Sequence, residues 1–110
     1  IMRSHEQIRA ERQRLKQDYT QLFQQVSQVL VQHDPIGLIS LGAPEDEYEP
    51  EVGTILPRLK EADSVDDIRR IIHQEFVFWF EADTADPESR YEAIAEDVWQ
   101  IWKTFNSLPE

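Results

Sequence analysis

The chain has 110 residues, with 22 acidic against 11 basic side chains and no cysteine, so its formal net charge is −11. This length predicts one domain with its own core, and the lack of cysteine excludes disulfides, thiolate metal sites and a cysteine nucleophile. The longest apolar run, Phe76–Phe80, is far shorter than the roughly 20 residues that cross a bilayer, and the acidic balance argues against duplex nucleic acid as a ligand. We therefore expect a soluble, cytoplasmic domain.

Residues 4–33 have the spacing of one long helix, which neither glycine nor proline interrupts. Large apolar residues recur in it every seven positions: Ile8, Leu15, Leu22 and Val29. The apolar stripe is dense only from Leu15 onward, so residues 2–14 are expected to project as a basic helical segment.

Charge is unevenly distributed along the chain. Residues 1–33 hold five basic and three acidic residues, whereas residues 34–110 hold six and nineteen. This contrast predicts either a basic segment that lies against the acidic part of its own or a neighbouring chain, or a solvated helix with scattered charge.

Residues 34–45 are predicted to form the main loop, because the segment opens on an Asp-Pro pair and two glycines and a further proline follow. The segment is apolar nevertheless, so we expect an ordered loop that packs on the helices.

Residues 47–62 have helical spacing, but three residues oppose a regular helix: Pro50, Gly53 and Pro57. Pro50 suits a first turn, whereas Pro57 is expected to kink the helix near Gly53.

A third helix is predicted to begin after Ser64, whose hydroxyl is expected to cap the backbone at Asp67. One wide apolar face marks this helix as largely buried: Val65, Ile68, Ile71, Ile72, Phe76, Phe78 and Trp79. After a loop over residues 81–86, Asp86 is expected to cap a fourth helix over residues 87–107, with proline in its first position. The predicted fold is an all-α compact domain of four helices with one long ordered loop between helices 1 and 2. Residues 2–110 form this single domain.

No catalytic motif is recognisable, and the strongest argument for chemistry is a metal site. Its candidate ligands are His33, Asp34, Asp46, Glu47, Glu49 and His73. The Glu-x-x-His spacing of di-metal helical bundles is absent, and His33 falls on the apolar face of the first helix, where a hydrogen-bonded boundary histidine is commoner. We therefore predict no enzyme activity, no bound metal and no cofactor.

Two groups of carboxylates are candidates for partner binding. The first surrounds Tyr48 and consists of Glu45, Asp46, Glu47, Glu49 and Glu51. It is either a solvated loop at a helix N-terminus or a recognition edge with Tyr48 as an aromatic anchor. The second is a stripe of like charges on the last helix, formed by Glu88, Glu92 and Glu96. Folding does not require such a stripe, so either solubility or a cationic partner explains it.

Three apolar residues fall at the edges of their helices' apolar stripes, and they are candidates for an exposed patch: Val77, Phe80 and Trp99.

Several short motifs occur along the chain: Asp34-Pro35-Ile36-Gly37, Asp46-Glu47-Tyr48, Ile55-Leu56-Pro57-Arg58-Leu59, Glu75-Phe76, Trp79-Phe80, Tyr91 and Trp99-Gln100-Ile101-Trp102. As a set they resemble a family of short, acidic, uncharacterised bacterial proteins, a domain of unknown function. The resemblance covers about residues 26–105. It implies a compact helical domain and brings no established activity, cofactor or catalytic residue.

These patterns predict a non-enzymatic interaction module, immunity-like or inhibitory, that docks an acidic surface on a basic protein partner. The expected partner-binding residues are Glu45, Asp46, Glu47, Tyr48, Glu49, Glu51, Glu88, Glu92, Glu96 and Trp99. The alternative is a structural or regulatory domain that homo-oligomerises through its N-terminal helix and aromatic patch. Neither nucleic acid nor a membrane is an expected partner.

Overall fold

A computed structural model of the protein describes the backbone of residues 5–107 and the side chains of residues 19–107. The described chain contains helices and no strand: α1 (His5–His33), α2 (Glu49–Ile55), a 3₁₀ segment (Leu56–Glu61), α3 (Val65–Ala85), a 3₁₀ turn (Glu88–Tyr91) and α4 (Glu92–Asn106). The predicted all-α fold of four helices, with one long ordered loop between α1 and α2, is confirmed. The prediction that residues 2–14 project as a basic helical segment depends on side chains that lie outside the described part of the chain.

The core lies where α1 and α3 pack against α4, and α2 lies against both α1 and α3. Phe76 of α3 is fully buried. The centroid of its ring lies 6.1 Å from that of Tyr48, 5.7 Å from that of Phe80 and 5.1 Å from that of Tyr91. This aromatic cluster joins α3 to the loop before α2 and to the turn before α4.

The start of α3 follows the predicted capping. The hydroxyl oxygen of Ser64 accepts a hydrogen bond from the backbone N–H of Asp67 at 3.2 Å. The Asp67 carboxylate in turn accepts a bond from the backbone N–H of Asp63 at 2.9 Å. These bonds satisfy backbone donors that a helix N-terminus otherwise leaves without partners.

The sequence predicted a kink of the second helix near Gly53. The structure instead shows a change from α-helical to 3₁₀ geometry just before Pro57. Helix α2 ends at Ile55, and the chain continues as the 3₁₀ segment. Pro57 has no N–H to donate to the carbonyl four residues earlier, so the α-helical hydrogen-bond ladder stops there.

The segment predicted as a loop over residues 81–86 is largely helical. Helix α3 continues to Ala85 across a break at Glu81, whose φ of 68° and ψ of 162° are not helical. The prediction of a loop is therefore wrong in extent, although the chain does turn at its first residue.

The prediction that Asp86 caps the fourth helix is also wrong. Pro87 has extended backbone after a cis peptide bond, and the 3₁₀ turn precedes α4. The Asp86 carboxylate binds Nε2 of His73 at 2.6 Å, so it does not cap a helix. The guanidinium of Arg90 donates to the backbone carbonyls of Thr84 at 2.7 Å and of Asp86 at 2.6 Å.

Candidate functional site: the acidic segment and its groove

The loop between α1 and α2 is organised by the carboxylate of Asp34, the first residue after α1. Its φ of 48° is in the left-handed region, which aspartate tolerates better than most residues. The carboxylate accepts hydrogen bonds from the Tyr48 hydroxyl (2.6 Å), the backbone N–H groups of Ile39 and Ser40 (3.0 Å each) and the Ser40 hydroxyl (2.8 Å). These bonds fix residues 45–49 relative to the end of α1.

The hydrogen bonds also shift the pKa values of the two acids that share them. Burial alone would raise the pKa of Asp34, but the bonds from Tyr48, Ile39 and Ser40 outweigh burial and hold this pKa well below its usual range. Burial and the bond to the Asp34 carboxylate raise the pKa of Tyr48 to about 12. At neutral pH the pair is therefore a charged carboxylate that accepts a hydrogen bond from a neutral phenol.

Residues 45–49, which we call the acidic segment, present four exposed carboxylates: Glu45, Asp46, Glu47 and Glu49. Within the described residues, none of the four has an ion pair or a side-chain hydrogen bond. The Asp34 contacts hold the loop that carries them. The four charges therefore face solvent from an ordered position.

Two residues of the predicted recognition edge lie inside the protein. Tyr48 is 0% exposed and Glu51 is 4% exposed. The prediction that Tyr48 is an exposed aromatic anchor is wrong, because its ring packs near Phe76 and its hydroxyl binds Asp34. Glu51 is likewise not part of the surface.

Glu51 is an unusual buried carboxylate. Its Oε2 atom has no hydrogen-bond partner among the residues that the structure describes. Burial raises the pKa of Glu51, and the negative charge of Glu47 raises it further. Glu51 therefore opposes folding at neutral pH, and its role is not that of a docking residue.

A groove of about 530 Å³ lies between α1 and the acidic segment. Its lining consists of Phe23, Gln24, Ser27, Gln28, Val31 and Gln32 from α1, with Glu45 and Glu49 opposite. The Ser27 hydroxyl is buried and has no hydrogen-bond partner among the described residues. The groove therefore combines partly buried apolar side chains, an unsatisfied hydroxyl and two unpaired carboxylates.

This groove was not predicted from the sequence. Phe23, Ser27 and Val31 follow one another at four-residue spacing, so their common helix face could have been recognised. Whether the loop covers or leaves open that face depends on the bonds to Asp34, which link residues up to 14 positions apart.

The arginines of the described part of the chain are engaged away from the acidic segment. The pairs are Arg58 with Glu61 and Glu75, Arg69 with Asp66 and Glu88, and Arg70 with Asp67. Arg90 binds backbone carbonyls. The acids whose side chains the structure describes thus include a paired group, which contacts arginine, and an unpaired group that contains the acidic segment.

The predicted stripe on the last helix is divided between these two groups. Glu88 lies in the 3₁₀ turn, where it accepts a bond from Nε of Arg69 at 3.3 Å and lies 3.7 Å from Nδ1 of His73. Glu92 and Glu96 are exposed on α4 and have no ion pair within the described residues. Of the three residues of the predicted stripe, only Glu92 and Glu96 are therefore free to contact a cation of a partner.

Trp99 is half-buried beside a second groove, of about 420 Å³, which Glu96, Asp97 and Val65 also line. The Nζ atom of Lys103 lies 5.7 Å from the centroid of the Trp99 indole ring. The structure thus brings the predicted site residues Glu96 and Trp99 together. It places the acidic segment at the first groove.

Exposed aromatic surface lies elsewhere than predicted. The three residues proposed for a patch are partly buried against the core: Val77, Phe80 and Trp99. Phe78 is instead 72% exposed and Trp79 is 41% exposed. Phe78 follows Phe76 by two residues, about 200° around the helix, so it faces away from the core. The indole N–H of Trp79 donates to Thr54 Oγ1 at 3.0 Å.

The candidate metal ligands are not assembled. Nε2 of His33 lies 2.9 Å from Oδ2 of Asp97, and Nε2 of His73 lies 2.6 Å from Oδ1 of Asp86. In the described residues, no group of three or more histidine, aspartate or glutamate side chains is placed to hold a metal ion. His33 and His73 instead each link two elements of the fold.

Two further observations bear on function. No helix within the described residues is both long and apolar enough to cross a membrane. Comparison of the chain with protein-family models, curated proteins and solved structures finds no match. Function is therefore inferred from the geometry of the chain itself.

Proposed function

We propose that the protein is a non-enzymatic interaction module, immunity-like or inhibitory, that docks its acidic segment on a basic protein partner. The observation that supports this function is the set of four exposed carboxylates without ion pairs in the described structure, namely Glu45, Asp46, Glu47 and Glu49. Lysine and arginine side chains of a partner would supply the cations that the fold does not.

The order of the loop favours binding. The bonds between Asp34 and the residues Ile39, Ser40 and Tyr48 hold the segment before a partner arrives. A surface that is already ordered loses less conformational entropy when it binds, so more of the interaction energy appears as affinity. The acidic segment is thus a better docking surface than a mobile acidic loop of the same composition.

The charge of the whole chain supports the same function. A net charge of −11 attracts a basic protein from a distance and raises the rate of encounter. Glu92 and Glu96, with Trp99 beside the second groove, provide a smaller second contact. Because exposed charges are screened by salt, we expect the complex to weaken as ionic strength rises.

Two further predictions come from the sequence alone. They are a cytoplasmic location and membership of the bacterial family that the sequence resembles.

The test compares two variants that change the net charge equally. Glu45→Gln with Glu49→Gln removes two charges from the acidic segment, and Glu81→Gln with Asp83→Asn removes two exposed charges from the end of α3. Each tagged chain is immobilised at low density and incubated with lysate of its source cells. Bound proteins are identified by mass spectrometry, and the basic protein recovered is then purified and titrated at 50 and 300 mM salt.

We expect the acidic-segment variant to bind this protein about tenfold more weakly at low salt, a loss of about 1.4 kcal/mol. The α3 variant should bind like the original chain. Equal affinity of all three chains would show that the acidic segment is not the docking surface, and loss of binding in both variants would indicate only a general effect of charge.

A further inference from the structure

The first groove has the chemistry of a site for an amphipathic basic helix. Phe23 and Val31 offer partly buried apolar side chains, and Glu45 and Glu49 offer carboxylates that have no ion pair in the described structure. Ser27 also lines the groove, although its hydroxyl oxygen is itself buried. An occupant that matches the accessible groups carries apolar residues flanked by cations.

The chain contains one segment of this kind, the first half of α1. Residues 5–18 are helical, and their sequence repeats apolar residues at a spacing of seven, Ile8 and Leu15. Four cations accompany them, Arg9, Arg12, Arg14 and Lys16, and three acids, Glu6, Glu11 and Asp18, leave the segment with a net charge of +1. Ile8 and Leu15 are separated by a helical rise of about 10 Å, and Phe23 and Val31 by about 12 Å, so the two stretches match in length.

The occupant cannot be the same molecule's segment. Residues 5–18 and the groove residues of α1 belong to one uninterrupted helix, His5–His33, so the segment cannot fold back onto the groove. We propose that the groove lined by Phe23, Ser27, Val31, Glu45 and Glu49 receives the helical segment 5–18 of a second copy of this chain.

Such a contact is reciprocal. In a two-fold dimer with antiparallel α1 helices, each copy inserts its segment 5–18 into the groove of the other, so both grooves are filled at once. The dimer itself does not depend on the proposed function. Only one consequence rests on that function: self-association and a basic partner compete for Glu45 and Glu49.

The test is the oligomeric state of the purified full chain, measured by sedimentation velocity from 5 to 500 μM at 50 and 500 mM salt. Gln28→Arg adds a cation to the groove at an exposed position, and Gln25→Arg makes the same change at an exposed position of α1 outside the groove. A third variant, Arg9→Glu with Arg12→Glu, reverses the charge of the inserted segment.

We expect a dimer at low salt whose dissociation constant rises at least tenfold in Gln28→Arg and in the Arg9, Arg12 variant, and changes less than twofold in Gln25→Arg. A monomer at every concentration overturns the inference. So does a dimer that either of the two disruptive variants leaves intact, or one that Gln25→Arg weakens equally.

Self-association is measured on the purified chain alone, whereas partner capture uses sparsely immobilised chain. The inference and the proposed function can therefore fail independently.

Discussion

The hydroxyl of Tyr48 donates a hydrogen bond of 2.6 Å to the carboxylate of Asp34, which precedes it by 14 residues. The same hydroxyl oxygen accepts a bond from the backbone N–H of Ile36 at 3.2 Å. The Tyr48 ring is fully buried and packs near Phe76. One side chain thus ties the loop to the core, and through the loop it sets the position of the acidic segment.

Replacing Tyr48 with phenylalanine tests this tie. The variant keeps the ring in the core but removes one donor to Asp34 and one acceptor for Ile36. We expect the free energy of unfolding to fall by about 1.5–3 kcal/mol, the usual contribution of a hydrogen bond to a charged group. Urea denaturation followed by circular dichroism measures it. Tyr19→Phe, at a 45% exposed position, is the control and should change stability little.

The Asp34 carboxylate also predicts a dependence of stability on acid. Its pKa in the folded protein lies below the ordinary value of 3.8, so it stabilises the fold above about pH 4. This stabilisation is lost as the pH falls below 4. The variant Asp34→Asn is expected to lose less stability than the original chain between pH 5 and pH 2. Asp46→Asn, which removes an exposed carboxylate, is the control for the loss of one charge, and identical slopes in the original chain and Asp34→Asn would contradict the prediction.

The pKa of Tyr48 predicts a loss of stability at alkaline pH. Its pKa of about 12 in the folded protein lies above the ordinary value of 10.0, so the neutral phenol stabilises the fold below pH 10. That stabilisation is lost as the pH rises from 10 to 12. Stability curves measured from pH 8 to 12 should therefore fall less steeply in Tyr48→Phe than in the original chain. A slope unchanged by the substitution would mean that folding does not shift the pKa of Tyr48.

Much of the architecture was predictable because it depends on local patterns. The seven-residue repeat of apolar residues gave α1, and the Ser64 hydroxyl marked the start of α3. The end of α2 was less predictable. The loss of the N–H at Pro57 was evident from the sequence, but whether the chain would kink or tighten into a 3₁₀ segment depended on packing.

The site was less predictable than the fold because its residues are positioned by distant contacts. Tyr48 stands among exposed acids, and composition alone favoured an exposed side chain. Its burial depends on Asp34, which lies 14 residues away. Glu88 likewise looked equivalent to Glu92 and Glu96, but its pairing with Arg69 follows from how α3 packs on the 3₁₀ turn.

Glu51 is expected to lower the stability of the protein at neutral pH. Its carboxylate is buried and its Oε2 atom lacks a partner within the described residues. We expect Glu51→Gln to raise the free energy of unfolding at pH 7 by about 1 kcal/mol, because the neutral amide keeps the shape of the side chain and removes a buried negative charge. Thermal or urea denaturation measures this change. The exposed neighbour Glu49→Gln is the matched control.

The pH dependence of this gain has a definite sign. The pKa of Glu51 in the folded protein lies above the ordinary value of 4.5, so its protonated form is favoured by folding. Its contribution to stability is present below about pH 4 and is lost as the pH rises through the folded pKa. The advantage of Glu51→Gln should therefore grow from pH 4 to pH 7. An advantage that is larger at pH 4 would contradict the assigned burial.

The two faces of α3 predict different responses to truncation of neighbouring aromatic residues. Phe76 is fully buried against three aromatic rings, whereas Phe78 is 72% exposed and lies about 200° around the helix. We expect Phe76→Ala to lower the free energy of unfolding by about 3–5 kcal/mol, because it leaves a cavity in the core. Phe78→Ala should change it by no more than about 0.5 kcal/mol.

Because Phe76→Ala approaches the whole stability of a small domain, the conservative variant Phe76→Leu gives a second measurement. It should still be destabilising, and more so than Phe78→Leu. Chemical denaturation of the four variants, followed by circular dichroism, measures the differences. Equal effects at the two positions would mean that α3 presents a different face to the core, and the aromatic cluster around Phe76 would no longer explain how Tyr48 and the acidic segment are held.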